Sequence, residues 1–432
     1  MQLDPLPSEC VVDQTLVIRV RDLAAGEALV ARLYSAGGLG GAVIASEATF
    51  VADSEGVVDI ARQAPVSGSY QGVDAMGLFW SRAPVTQTEA LAFDDVNKDP
   101  FTATLSVSGE GGGSLSHSIR RTFTGAGVAS RDVRENGLVG KMFQPPHPGP
   151  HPAVLVVGGS GGGLAWSQEM AGLLASHGYV ALALAYFAAE GLSPTLDRIP
   201  LEYFGTALEW LAAQPCVAAN RMAVAGASRG GELALLLGAT FPSIRAVVAY
   251  VPSGIVWPAY PASGHGAWTM GGEEIPFAET LSHEEWDRAL ADGSAREDSF
   301  DWYLMPLRDD ELVAKASIPV ERINGPVLMI TGIDDRLWPS TNLTEFAVQR
   351  FKKMNFPHRV VHLCYPGAGH SIAWPNGPTT MLKSKHPVSG EEMDMGGTPE
   401  DTARARQDSW PRMLEFLCNA LADGQVASHG ER

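Results

Sequence analysis

The sequence predicts a two-part protein, an antiparallel β-sandwich over residues 1–125 followed by a doubly wound α/β sheet over residues 126–425. Short strand-like runs separated by Gly, Asp and Ser turns fill the first part, with no convincing amphipathic helix between them. Beyond it, continuous apolar runs alternate with helix-period stretches, the pattern of parallel strands covered on both faces. At 432 residues, with 45% hydrophobic and 19% charged content, the chain is long enough to bury a core for each part.

The sandwich strands are read from "QTLVIRVRDL", "ALVARLYS", "ATFVADSEGVVDI" and "FTATLSVSG", and the glycine run "SGEGGGSL" at 108–115 reads as a hairpin tip. A basic, strand-like bridge from Ile119 to Pro146 leads into the second part. There the buried strands are "AVLVVGG", "YVALALAY", "MAVAGA", "IRAVVAYV", "VLMITG" and "RVVHLCY". "AWSQEMAGLLASHG" and "LEYFGTALEWLAAQP" carry helical periodicity between them. Residues 252–319 interrupt the alternation as a lid-like insertion, whose "HGAWTMGG" and "FDWYLMP" aromatics suit either lid core or pocket wall. No internal repeat is visible.

The formal charge of −18 repels nucleic acid and anionic lipid, so neither is an expected partner. "MQLDPLPSEC" lacks the features of a signal peptide, and no run approaches the length of a membrane helix. The end "VASHGER" carries no peroxisomal tripeptide. Cys10, Cys216, Cys364 and Cys418 are scattered and form no CxxC, which suits reduced thiols in the cytoplasm. His147 and His151, in "PPHPGPHP", have no third ligand, so no metal is expected. No cofactor is expected either.

One stretch carries chemistry. In "RMAVAGASRGGELALLLGAT" a buried strand stops at a glycine-flanked serine and a helix follows. Gly226-Ala227-Ser228-Arg229-Gly230 is a G-x-S-x-G in the context that the pattern requires. A nucleophile at such a corner is strained and exposed at the carboxyl end of the sheet, beside a helix N-terminus that favours developing negative charge. The plain alternative is a serine that caps the helix.

A serine hydroxyl needs a base oriented by a carboxylate. "VLMITG" runs into Asp334 and Asp335, and the strand after it ends in "CYPGAGHSI", which contains His370. The chain order Ser, Asp, His is that of an α/β-hydrolase. Asp335 is taken as the orienting acid, with Asp334 exposed or bracing the turn. His265, His283 and His386 lie in polar, irregular segments with no strand end beneath them. The oxyanion would accept from the Arg229 amide and from Ser160 or Gly161 in "GGSGGG", where glycines permit close backbone approach. That run lacks both the P-loop lysine and the dinucleotide fingerprint.

The chain resembles the acyl-CoA thioesterase and bile acid-CoA:amino acid N-acyltransferase family over most of its length. The resemblance rests on "GLVGKMFQPP", "GGSGGGL", "SHGYVALALAYF", "GASRGGELAL", "IPVERINGPVLMITGIDDRLWPS" and "YPGAGHSI", with "VRDLAAGEALVARLYS" and "GVDAMGLFW" nearer the start. It implies a β-sandwich before an α/β-hydrolase domain and a triad on Ser228, Asp335 and His370. In that family a serine nucleophile goes with thioester hydrolysis and a cysteine with transfer to an amino acid. Arg336-Leu337 replaces the usual His-Asn after the acids, and Arg229 replaces the thioesterases' elbow lysine. The expected activity is therefore acyl-CoA hydrolysis, with a small-molecule thioester as substrate. Transfer to an amine or alcohol, carboxylesterase activity and a non-enzymatic acyl-binding role are the alternatives.

Overall fold

A computed structural model of the protein describes residues 1–36, 43–85, 100–296 and 300–422. The C-terminal "VASHGER" and the expected domain bound at 425 lie outside the described residues. In the first part a seven-stranded sheet runs in the order Glu9–Val11, Ser114–Thr122, Phe101–Gly109, Ala28–Ala36, Val43–Val51, Ser67–Gly68, with Ala83–Pro84 also on Val43–Val51. All its pairs are antiparallel except the one between Glu9–Val11 and Ser114–Thr122. A three-stranded sheet of Gln2–Leu3, Arg19–Arg21 and Val58–Asp59 shares its core, where Val20 and Val58 join Leu29, Leu33 and Phe50.

Two details differ from the sequence expectation. Only Arg19–Arg21 of "QTLVIRVRDL" forms a strand; upstream of it the Leu16 amide donates to the Met76 sulfur. "GVDAMGLFW" ends in a one-turn helix, Gly77–Trp80, wholly buried in the sandwich core. The glycine run does close a hairpin, with Ser114 opposite Ser108.

The second part is an eight-stranded sheet. We label its strands β1 (Ala129–Val133), β2 (Val139–Gln144), β3 (His151–Val157), β4 (Val180–Ala185), β5 (Val217–Ala227), β6 (Ile244–Tyr250), β7 (Val327–Gly332) and β8 (Val360–Tyr365). Their order across the sheet is β1-β2-β4-β3-β5-β6-β7-β8. The basic bridge supplies β1 and β2, which pair antiparallel, and every pair from β4 to β8 is parallel.

The continuous apolar runs follow from this position, since a central parallel strand has no wet face. Leu155, Val224, Val247 and Met329 point into one core, and their neighbours Val156, Ala225, Val248 and Ile330 into the other. Helices α1 (Ala165–Ser176), α2 (Leu201–Ala212), α3 (Arg229–Thr240), α4 (Ser340–Lys353) and α5 (Pro399–Ala420) cover the two faces. α1 and α5 lie on one, and α2, α3 and α4 on the other. α5 reaches the sandwich as well, placing Ala403 in that core. Among the described residues, the insertion between β6 and β7 holds three short α-helices, two 3₁₀ turns and one small hairpin. No helix among the described residues is long and apolar enough to cross a membrane.

Candidate active site

β5 ends at Ala227 and α3 begins at Arg229, so one residue makes the corner. That residue, Ser228, has φ 58° and ψ −122°, a conformation unfavourable for any residue with a Cβ. Its carbonyl accepts from the Gly231 and Glu232 amides, and its own amide donates to the Tyr250 carbonyl at 2.9 Å. The side chain makes no capping bond. The helix-cap alternative therefore fails, and the hydroxyl is left facing the cavity.

The flanking glycines have steric reasons. A Cβ on Gly226 would stand 2.0 Å from the Gly230 carbonyl oxygen, and one on Gly230 would stand 2.2 Å from that of Gly158. The elbow is thus packed backbone on backbone against the end of β3. Gly230→Ala should destabilise the fold by about 3 kcal/mol, the scale of a severe overpacking defect. A urea midpoint equal to wild type would contradict this.

The candidate acid and base come from adjacent strand ends. Asp335 follows β7 and is buried; its Oδ1 accepts from the Leu337 amide at 3.0 Å and the Trp338 amide at 3.2 Å. Its Oδ2 lies 2.8 Å from His370 Nδ1, beyond β8. Held in this way, His370 carries its proton on Nδ1 and leaves Nε2 unprotonated. Asp334 faces elsewhere, accepting the Gly367 amide on Oδ2 at 2.7 Å.

Sequence reasoning missed what fixes this pair. Met395 accepts the His370 amide at 2.7 Å, and Gly396 bridges Asp335. Gly396 has φ 66°, and a Cβ there would stand 2.1 Å from the Asp334 carbonyl oxygen. The Gly-Gly pair just before α5 was the available signal.

Ser228, His370 and the glycine run Gly158–Gly163 line a cavity of about 140 Å³ whose walls include Trp166, Ile372 and Met395. On its other side a cavity of about 400 Å³ opens under the insertion, lined by Trp257, Tyr260, Trp302, Tyr303 and Glu391. Ser160, Ser228, Leu337, His386 and Met393 border both. The insertion aromatics thus divide: Trp302 and Tyr303 face a cavity, while Trp268 is core.

The Arg229 amide opens α3, where the first N–H groups have no intrahelical acceptor. Its guanidinium is engaged beneath the insertion, donating to the Trp257 carbonyl at 3.0 Å and lying 3.0 Å from Glu232. Glu232 is fully buried and accepts the Trp268 indole N–H at 2.8 Å. Burial pushes its carboxyl above the ordinary range, with Arg229 and the indole opposing.

Among the remaining histidines, His386 departs from the sequence expectation. His151 Nε2 bonds the His147 carbonyl at 2.9 Å. Among the described residues no cluster of three or more His, Cys, Asp or Glu side chains is placed to hold a metal. His265 pairs with Glu274, and His283 borders the larger cavity. His386, set aside for want of a strand end beneath it, is buried in the wall that both cavities share. It belongs to the site region.

The family model described as BAAT / Acyl-CoA thioester hydrolase C terminal matches residues 199–423, and that described as Acyl-CoA thioester hydrolase/BAAT N-terminal region matches residues 13–135. Acyl-coenzyme A thioesterase 1 of Mus musculus is 32% identical over 98% of this chain and 96% of its own length. The peroxisomal succinyl-coenzyme A thioesterase of Mus musculus is 29% identical over 96% of both chains. The mitochondrial acyl-coenzyme A thioesterase 2 of Homo sapiens is 32% identical over 97% of this chain and 84% of its own. With both family models matched in order on a sandwich and a doubly wound sheet, this chain belongs to the acyl-CoA thioester hydrolase/BAAT family.

Proposed function

We propose that the protein hydrolyses an acyl-CoA to free acid and CoA through an acyl-enzyme on Ser228. The observation that carries the proposal is Ser228 on its left-handed corner in the same cavity as a His370 already bonded to a buried Asp335. Family membership supports the thioester as the substrate bond.

In this mechanism Ser228 Oγ attacks the thioester carbonyl while its proton passes to His370 Nε2. The oxyanion accepts from the Arg229 amide and from the Ser160 or Gly161 amide. Collapse breaks the C–S bond, and the CoA sulfur leaves with the proton from His370. Water then attacks the acyl-serine, giving a proton to His370, which returns it to Ser228 Oγ as the acid departs. Proton transfer and hydrogen bonding suffice, so the proposal includes no cofactor. The apolar walls of the smaller cavity suit the acyl chain. The proposed compartment is the cytoplasm, supported by four unpaired cysteines. Fractionation that found the protein in peroxisomes or mitochondria would overturn that placement.

The test is a panel of acyl-CoA thioesters and p-nitrophenyl esters, with and without millimolar glycine or taurine, read by mass spectrometry. Free acid from the thioesters is the expected product under all conditions. An oxygen ester on serine is less reactive towards amines than a thioester on cysteine, so Ser228→Cys should shift product towards the amide. Mostly conjugate from wild type would make the protein an acyltransferase. Turnover of oxygen esters alone would make it a carboxylesterase.

A further inference from the structure

His386 and Ser160 are far apart in the chain, yet His386 Nε2 lies 2.9 Å from Ser160 Oγ. The tautomer of this imidazole is dictated by its other side. Nδ1 accepts from the amides of Val388 and Ser389, each at 3.2 Å. Two donors on one ring nitrogen leave no room for a proton there, so the proton sits on Nε2 and points at Ser160.

The surroundings hold that arrangement. The His386 amide donates to the Glu391 carbonyl at 2.8 Å and its carbonyl accepts the Gly390 amide at 2.8 Å, closing the turn. Tyr260 packs edge-on against the imidazole at 4.7 Å and donates its hydroxyl to Glu391 at 2.8 Å. Burial lowers the imidazole pKa below its ordinary value, with the Glu391 carboxylate opposing, so the neutral form is favoured.

A serine hydroxyl that accepts from a fixed N–H must turn its own proton elsewhere. Among the described residues His386 is the hydrogen-bond partner of Ser160 Oγ. Ser160 borders both cavities and follows Gly159, where a Cβ would lie 3.7 Å from Ser228 Oγ. Ser160 and Ser228 line the same two cavities, so the hydroxyl proton, turned away from His386, has that shared space open to it.

We propose that the Ser160 hydroxyl is a further donor to the substrate's carbonyl oxygen as it becomes an oxyanion, and that His386 is the positioning residue that aims it. The proposal rests on Ser228 being the nucleophile. It adds a side-chain donor to the backbone amides and moves no proton. The hydroxyl serves both tetrahedral intermediates, in acylation and in deacylation. It is strongest when charge has built up on the oxygen, so its effect falls on kcat and not on ground-state binding.

The experiment uses the full chain, with Ser160→Ala, Ser160→Thr, His386→Phe, His386→Gln and the double variant Ser160→Ala/His386→Phe. Ser160→Ala should lower kcat by about 10²–10³ with little change in KM, the loss typical of one oxyanion donor. Ser160→Thr keeps the hydroxyl and should recover most of the rate. His386→Phe should lose no more than Ser160→Ala, and the double variant should be no worse than Ser160→Ala alone, because the histidine acts only through the hydroxyl. His386→Gln retains an N–H donor and should be intermediate.

A boronic acid that forms a tetrahedral adduct with Ser228 supplies a readout that a structural staple would not move. Its inhibition constant should rise across the series in proportion to the loss in kcat/KM, while a non-hydrolysable CoA thioether binds equally well to all. Ser160→Ala within threefold of wild type, with Ser228→Ala inactive, overturns this proposal and leaves the hydrolase reading standing. Losses that add in the double variant, or that track the melting temperature instead of boronate affinity, also overturn it. An active Ser228→Ala would instead remove the nucleophile assignment on which it rests.

Discussion

Ser228→Ala is expected to lose about 10⁶ in kcat, the scale seen when the nucleophile of a serine triad is removed. In the proposed mechanism the residue supplies both the attacking oxygen and the bond that carries the acyl group, so nothing nearby can substitute. His370→Ala should lose a comparable amount, and the double variant little more, since members of a triad act as a unit. Steady-state kinetics on purified variants measures the loss, and intact-mass spectrometry reports the acyl adduct. A variant that kept a tenth of the wild-type rate would exclude Ser228. A stability control belongs with this experiment. At φ 58° the corner strains every residue with a Cβ, so Ser228→Gly should be inactive yet more stable by about 1 kcal/mol. A lower urea midpoint for the glycine variant would argue against stored strain at the elbow.

Asp335→Asn should lower kcat by about 10⁴, as in a triad whose carboxylate no longer selects the imidazole tautomer. The geometry says why the amide cannot adapt. Asp335 Oδ1 faces two N–H donors, from Leu337 and Trp338, so the amide oxygen must stay on that side. The NH₂ group then faces His370 Nδ1, which becomes an acceptor, and Nε2 takes the proton it should be free to receive. Asp334→Asn keeps an oxygen for the Gly367 amide and should change kcat by less than threefold and stability by no more than about 1 kcal/mol. A reversal of that ranking would move the orienting role to Asp334.

The contrast between these two aspartates shows how far the sequence reaches. Both follow "VLMITG", and chain position alone does not say which turns inward. The left-handed corner at Ser228, by comparison, was legible from five residues, because a strand, a glycine-flanked serine and a helix are neighbours in the chain. The parallel strands were legible for a related reason, as both of their faces are buried by local helical crossovers. β5 begins at Val217, earlier than the "MAVAGA" run, since its first residues include exposed polar positions that carry no apolar signal.

A sandwich before a doubly wound sheet, the elbow at Ser228, and a histidine and an acid at successive strand ends are all written locally in the chain. Each is set by periodicity or by turn chemistry within a few residues. Long-range packing sets the Gly396 turn against Asp335, ties Glu232 and Arg229 to the insertion through Trp257 and Trp268, and brings His386 to Ser160. The last contact joins residues 226 positions apart, and its partners are an ordinary loop serine and a histidine in a polar turn. Their chemistry arises from burial and from two amides that fix one ring nitrogen, and those exist only once the chain has folded around them.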